Sequence, residues 1–252
     1  MKKALMLSSV LAVVMVMSSC NKEVETVTDQ GKTPQQSSQG FVPKAGGTPG
    51  EIHNQMALDY MNQYGLPSDH QLTPTDVNQI LNRIGTIAQN RGVMAPGGKI
   101  TDMADGFTQK LGSLGYFNGG TLRNPDQLNQ MAIQGITNPG VKNAFGQIYS
   151  LAKADDPAFL AKSKEILDAV TNVTPQEKAR LDGARSVLEH SYEMWSQKRP
   201  SGGCCVAVVA FTDFSYYYYH SITVIETPDF IYVIEETFIS VTFSLFVGIM
   251  MW

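Results

Sequence analysis

The chain has 252 residues, 43% of them hydrophobic and only 17% charged, with 19 basic against 23 acidic side chains. That length supports one sizeable domain, or a domain with a tail. The acidic balance, with no basic stripe, excludes the electrostatic footprint of a nucleic-acid binder. The three cysteines cannot staple a disulfide scaffold, since Cys204 and Cys205 are adjacent and a bridge between neighbours is strained.

The N-terminus pairs Lys2 and Lys3 with an apolar run from Ala4 to Met17, closed by Ser18, Ser19 and Cys20. A charged n-region before so short an apolar run predicts a signal peptide, because the run is well below the roughly 20 residues a spanning helix needs. Met17-Ser18-Ser19-Cys20 resembles the lipobox of bacterial lipoproteins, although that family prefers Leu where Met17 stands. The resemblance implies that Cys20 becomes the acylated mature N-terminus, with palmitate-type chains holding the protein on a membrane. Removal of Lys2 and Lys3 leaves a mature net charge near −6. Asn21 occupies the place where the well-studied inner-membrane retention signal has Asp, so the resemblance implies the bacterial outer membrane.

Residues 21–47 are rich in Gln, Ser, Thr, Gly, Pro and Lys, with few large apolar side chains. Such a segment buries too little surface to offset its ordering entropy, which predicts a flexible tether. From residue 48 a capping residue followed by Pro recurs: Thr48-Pro49, Thr73-Pro74, Asn124-Pro125, Asn138-Pro139, Asp156-Pro157 and Thr174-Pro175. A Thr, Asn or Asp side chain accepts a free backbone N–H of the first turn, and Pro at the first helical position strands no donor. Glu51, Asp76, Gln127 and Glu177 stand where a capping box closes.

Behind these starts lie apolar stripes of helical spacing, including Val77, Ile80, Leu81, Ile84, Ile87 and Ala88. Val141, Ala144, Phe145, Ile148, Leu151 and Ala152 form a second, and Leu181, Ala184, Leu188, Tyr192 and Trp195 a third. Shorter stripes begin at Ile52, Met103 and Leu160. The expectation is an all-α domain over 48–199, a compact bundle of about six to seven short helices.

Residues 200–252 change character after Pro200-Ser201-Gly202-Gly203: no Lys or Arg follows Arg199. Ile239, Val241, Phe243 and Leu245 alternate with Ser240, Thr242 and Ser244, which is strand period. Three readings stand for this apolar tail: strands or disordered chain beside the bundle, a membrane-associated segment, or a slipped reading frame.

No catalytic, metal or cofactor constellation is written in the chain. His53, His70, His190 and His220 share no helical pairing, so no zinc pair is present. His190 and Glu193 suit a surface contact. Gly97-Gly98-Lys99-Ile100 fails as a phosphate loop, because Ile100 stands where Ser or Thr must follow Lys. Asp155-Asp156 opens a helix, where the macrodipole accounts for it. Cys204 and Cys205 read as small apolar residues.

The lipobox, the Glu51-Ile52-His53-Asn54 helix start and the Trp195 segment are together loosely similar to uncharacterised helical envelope lipoproteins of gut-type Gram-negative bacteria. That resemblance spans residues 1–212 and implies no activity. The functional expectation is a lipid-anchored envelope protein with a non-enzymatic binding or structural role. Its partners would be the membrane and an envelope protein or small ligand, without cofactor or nucleic acid. The alternatives are a carrier for a membrane-active or secreted C-terminal peptide, and an enzyme whose site forms only when His53 or His190 meets a carboxylate.

Overall fold

The computed structural model describes residues 47–66, 71–93, 99–198, 204–219, 222–226 and 231–251. The signal peptide, Cys20 and nearly all of the 21–47 tether lie outside the described residues. So do His70, His220, Gly97-Gly98 and Gly202-Gly203.

The fold is an all-α bundle. Its helices are α1 (Pro49–Tyr64), α2 (Pro74–Asn90), α3 (Ile100–Ser113), α4 (Pro125–Gly135), α5 (Pro139–Lys153), α6 (Phe159–Asp168), α7 (Pro175–Lys198), α8 (Cys204–Tyr219) and α9 (Glu236–Met251). The Pro-started caps account for most of the beginnings. Thr48, Thr73 and Asn124 each bond the backbone N–H three residues on, and the residue at that position bonds back. Thr174 and Glu177 make the same reciprocal pair at α7. One start differs from expectation: α6 begins at Phe159 rather than Pro157. Asp156 there accepts from the Ala158 N–H at 2.8 Å and turns the chain before the helix opens.

Two small antiparallel hairpins accompany the helices among the described residues. Phe117–Asn118 (β1) pairs with Thr121–Leu122 (β2) through Gly119 and Gly120. Both glycines have positive φ, 58° and 86°, which a tight two-residue hairpin turn requires. Ile222–Glu226 (β3) pairs with Ile231–Glu235 (β4) and joins α8 to α9.

The tail differs most from the sequence reading. Ile239 to Leu245, expected to alternate as a strand, lies inside α9. Every residue from Phe238 to Ile249 is buried, and so is every residue from Val206 to Tyr216 on α8. A segment enclosed on all sides has no solvent face for periodicity to mark, so period two carries no information there. The hydroxyls find acceptors within the bundle. Thr242 donates back to the Phe238 carbonyl at 2.8 Å, and Ser240 donates to the Asp213 carbonyl at 2.8 Å.

Helices α8 and α9 pack on each other and form the middle of the bundle. Helix α8 also meets α4, α5 and α7, while α9 meets α1, α2 and α4. Phe145 of α5 stacks on Phe214 with centroids 4.2 Å apart, and Phe243 stacks on Tyr216 at 3.6 Å. Residues on both sides of 199 thus share one core.

Candidate functional site

The chemistry-bearing groups converge at the centre of the bundle. Asp213 of α8 is fully buried, as are His53 of α1, Ser191 of α7 and Ser240 and Ser244 of α9. Each is placed by an element already accounted for: the Thr48 cap starts α1 one turn before His53, and Ser191 lies on the inward stripe of α7 between Leu188 and Trp195.

Asp213 organises the group. Its Oδ2 accepts from the Ser191 hydroxyl and from the Ser244 hydroxyl, the latter at 2.9 Å. Trp195 Nε1 donates to Ser244 Oγ at 3.3 Å. His53 Nε2 approaches Asp213 Oδ2 to 3.4 Å. A further chain of contacts fixes the imidazole. Asn54 Nδ2 donates to the His190 carbonyl at 2.7 Å, which aims Asn54 Oδ1 at His53 Nδ1, 3.1 Å away. His53 therefore donates through Nδ1 and turns the lone pair of Nε2 toward the carboxyl.

That tautomer matches the electrostatics. Burial pushes the Asp213 carboxyl well above the ordinary carboxylate range, opposed by the hydrogen bonds from Ser191, Ser244 and Trp195. Burial also pulls the His53 imidazole down, to about 4. Charged groups sealed from water are expensive, so the proton rests on the acid and the imidazole stays neutral. The 3.4 Å approach is a contact between neutral partners rather than an ion pair.

Chemically the cluster is closed. Ser191 and Ser244 bond the carboxyl and Ser240 the Asp213 backbone carbonyl, so none of the three is aligned with His53 as a nucleophile beside a base. All five side chains are fully buried, so a substrate would have to open the bundle to reach them. The surface recesses lie elsewhere. One of about 660 Å³ runs between α5 and α6, lined by Asn138, Asn143, Gln147, Glu165, Val170 and Asn172. Asn138 is already engaged there, capping α5 and donating to the Asn172 carbonyl and to Glu177.

The sequence-flagged residues distribute plainly. His53 meets a carboxyl, as the enzyme alternative requires, but in a sealed core. His190 directs Nδ1 at the Ser186 carbonyl, 2.8 Å away, instead of toward Glu193. Gly50 makes that approach possible, since a Cβ there would lie 2.5 Å from His190 Nδ1. Cys205 is a free, half-buried thiol. Among the described residues no group of three His, Cys, Asp or Glu side chains could hold a metal ion. Asp213 was missed by sequence reasoning. Its signal was a single acid inside the apolar run Val206–Phe214, a place where only a satisfied or functional carboxyl survives.

Comparison with protein-family models, with curated proteins and with solved structures gives no match.

Proposed function

We propose that the protein is a lipid-anchored module of a bacterial cell envelope, tethered to the outer membrane through Cys20, that works by binding or by structure rather than by catalysis. The observation that carries this reading is the ordered N-terminal series: Lys2-Lys3, the apolar run to Met17, the small residues before Cys20, then a tether-like composition to residue 47. The bundle supports it in a second way. Its one convergence of acid, imidazole and hydroxyls among the described residues is spent on holding helices together, leaving the outer faces to meet an envelope protein or small ligand.

The test is Cys20→Ala in a Gram-negative host. The wild-type chain is expected in the outer-membrane fraction, with a mass raised by the acyl groups and incorporating labelled palmitate. The variant is expected in the soluble periplasmic fraction, because acyl chains supply the membrane affinity. A wild-type chain whose intact mass shows no lipid on Cys20 would overturn the reading.

A further inference from the structure

The recess between α5 and α6 is lined by amides, a hydroxyl and a single charged group, Glu165; no Lys or Arg lines it. Asn143 and Gln147 present themselves one turn apart on α5, and Thr171 and Asn172 come from the turn after α6. These four and Glu165 are exposed, and among the described residues their side chains bond no other group of the protein. The floor is apolar: Ala144 is buried, and Ile166 and Val170 are half-buried against the core. One end is held in place by Asn138. Its Oδ1 accepts from the Gly140 and Val141 N–H groups, while its Nδ2 donates to the Asn172 carbonyl at 3.3 Å and to Glu177 Oε1 at 3.2 Å. The start of α5, the turn after α6 and the start of α7 are thereby tied together. The recess is formed before any ligand arrives, which lowers the ordering cost of binding.

We infer that this recess binds a neutral saccharide carrying acetamido groups. The inference rests on the binding role proposed above and gives it a ligand class, and the envelope placement sets N-acetylated glycan within reach. An anion would meet no cation in the recess and one carboxylate, so its charge counts against it. A purely apolar ligand would strip water from five polar side chains without replacing the lost hydrogen bonds. A side-chain amide both donates and accepts, and so does a sugar hydroxyl, so each can satisfy the other. Asn143 and Gln147 lie about 6 Å apart along the helix axis, the scale of one sugar ring. Glu165 accepts from hydroxyls as a charged acceptor. An acetamido group joins an amide to a methyl, which matches amides at the rim above the apolar floor of Ile166 and Val170. The volume of about 660 Å³ is of the size that small-molecule sites have.

The test titrates the full chain carrying Cys20→Ala with chitotriose, a neutral oligomer of N-acetylglucosamine, by calorimetry and by amide NMR. Two further probes are cellotriose, which has hydroxyls in place of the acetamido groups, and a capped neutral alanine tetrapeptide. Saturable chitotriose binding in the millimolar range or tighter is expected, insensitive to salt, with shifts grouped in residues 138–147 and 165–172. Asn143→Ala and Gln147→Ala are each expected to weaken it roughly 3- to 10-fold, the loss of one hydrogen bond. Their thermal midpoints should stay at the parent value, since neither side chain has a partner within the protein. Cellotriose is expected to bind several-fold more weakly. No saturable chitotriose binding, binding that both variants leave intact, cellotriose binding as tightly, or shifts in the recess with the tetrapeptide alone would each overturn the inference. Anchoring is read separately, from the acylated mass of the wild-type chain, so failure here leaves the Cys20 reading standing.

Discussion

At the scale of single residues, the consequence of burying Asp213 beside His53 is a proton count. In the folded chain the pair holds one proton, on the carboxyl. In the unfolded chain the carboxyl ionises above about 3.9 and the imidazole holds a proton up to about 6.5. Between pH 4 and 6.5 folded and unfolded chains thus bind the same number, and the pair adds no pH dependence. Above about 6.5 the unfolded chain releases its proton while the folded chain keeps one. Stability then falls with rising pH for as long as the raised Asp213 carboxyl keeps its proton, because the unfolded chain binds fewer protons there. Asp213→Asn removes the retained proton and leaves His53, whose depressed value of about 4 makes stability fall as pH drops from 6.5 to 4. Denaturant melts from pH 4 to 9 are expected to show the slope move from the alkaline to the acidic side. An alkaline decline that persists unchanged in the variant would refute the assignment.

Among elements, the helix starts were the most legible part of the chain, because caps and Pro act locally and need no tertiary context. Thr73 illustrates this. Its hydroxyl accepts from the Asp76 N–H, and the Asp76 carboxylate accepts from the Thr73 N–H at 2.9 Å. Thr73→Ala removes the first of these and is expected to lower stability by about 1 kcal/mol, read as a shift of denaturation midpoint at unchanged slope. The core-facing stripes of α2 and α5 were equally readable, since each has a solvent face to contrast with. Helices α8 and α9 were not, because enclosure erases that contrast. The β1–β2 turn leaves no distinct mark in the sequence, since Gly119-Gly120 reads equally as a helix stop. The polar cluster was illegible for another reason. Its members come from α1, α7, α8 and α9, with Ser244 lying 191 residues beyond His53, and nothing local ties them together.

For the whole molecule, the question is whether residues 200–252 are an appendage or the core itself. Their lack of basic residues and loop signals is what a slipped frame would produce, and it is also what an element enclosed by α1, α2, α4, α5 and α7 demands. The packing makes the alternatives separable. A chain ending at Arg199 strips Phe145 of Phe211 and Phe214, Tyr116 of Phe243, and Phe107 of Phe238. Loss of one buried aromatic typically costs about 3–5 kcal/mol, and a domain of this size is stable by only about 5–15 kcal/mol. Several such losses together exceed what α1 to α7 can supply. The truncated chain is therefore expected to retain local helicity while losing its cooperative thermal transition and binding hydrophobic dye, as a compact state without fixed packing does. Scanning calorimetry of the two chains decides it. A truncated chain that melts as sharply and as high as the full one would show α1 to α7 to be a complete domain and the two enclosed helices dispensable to it.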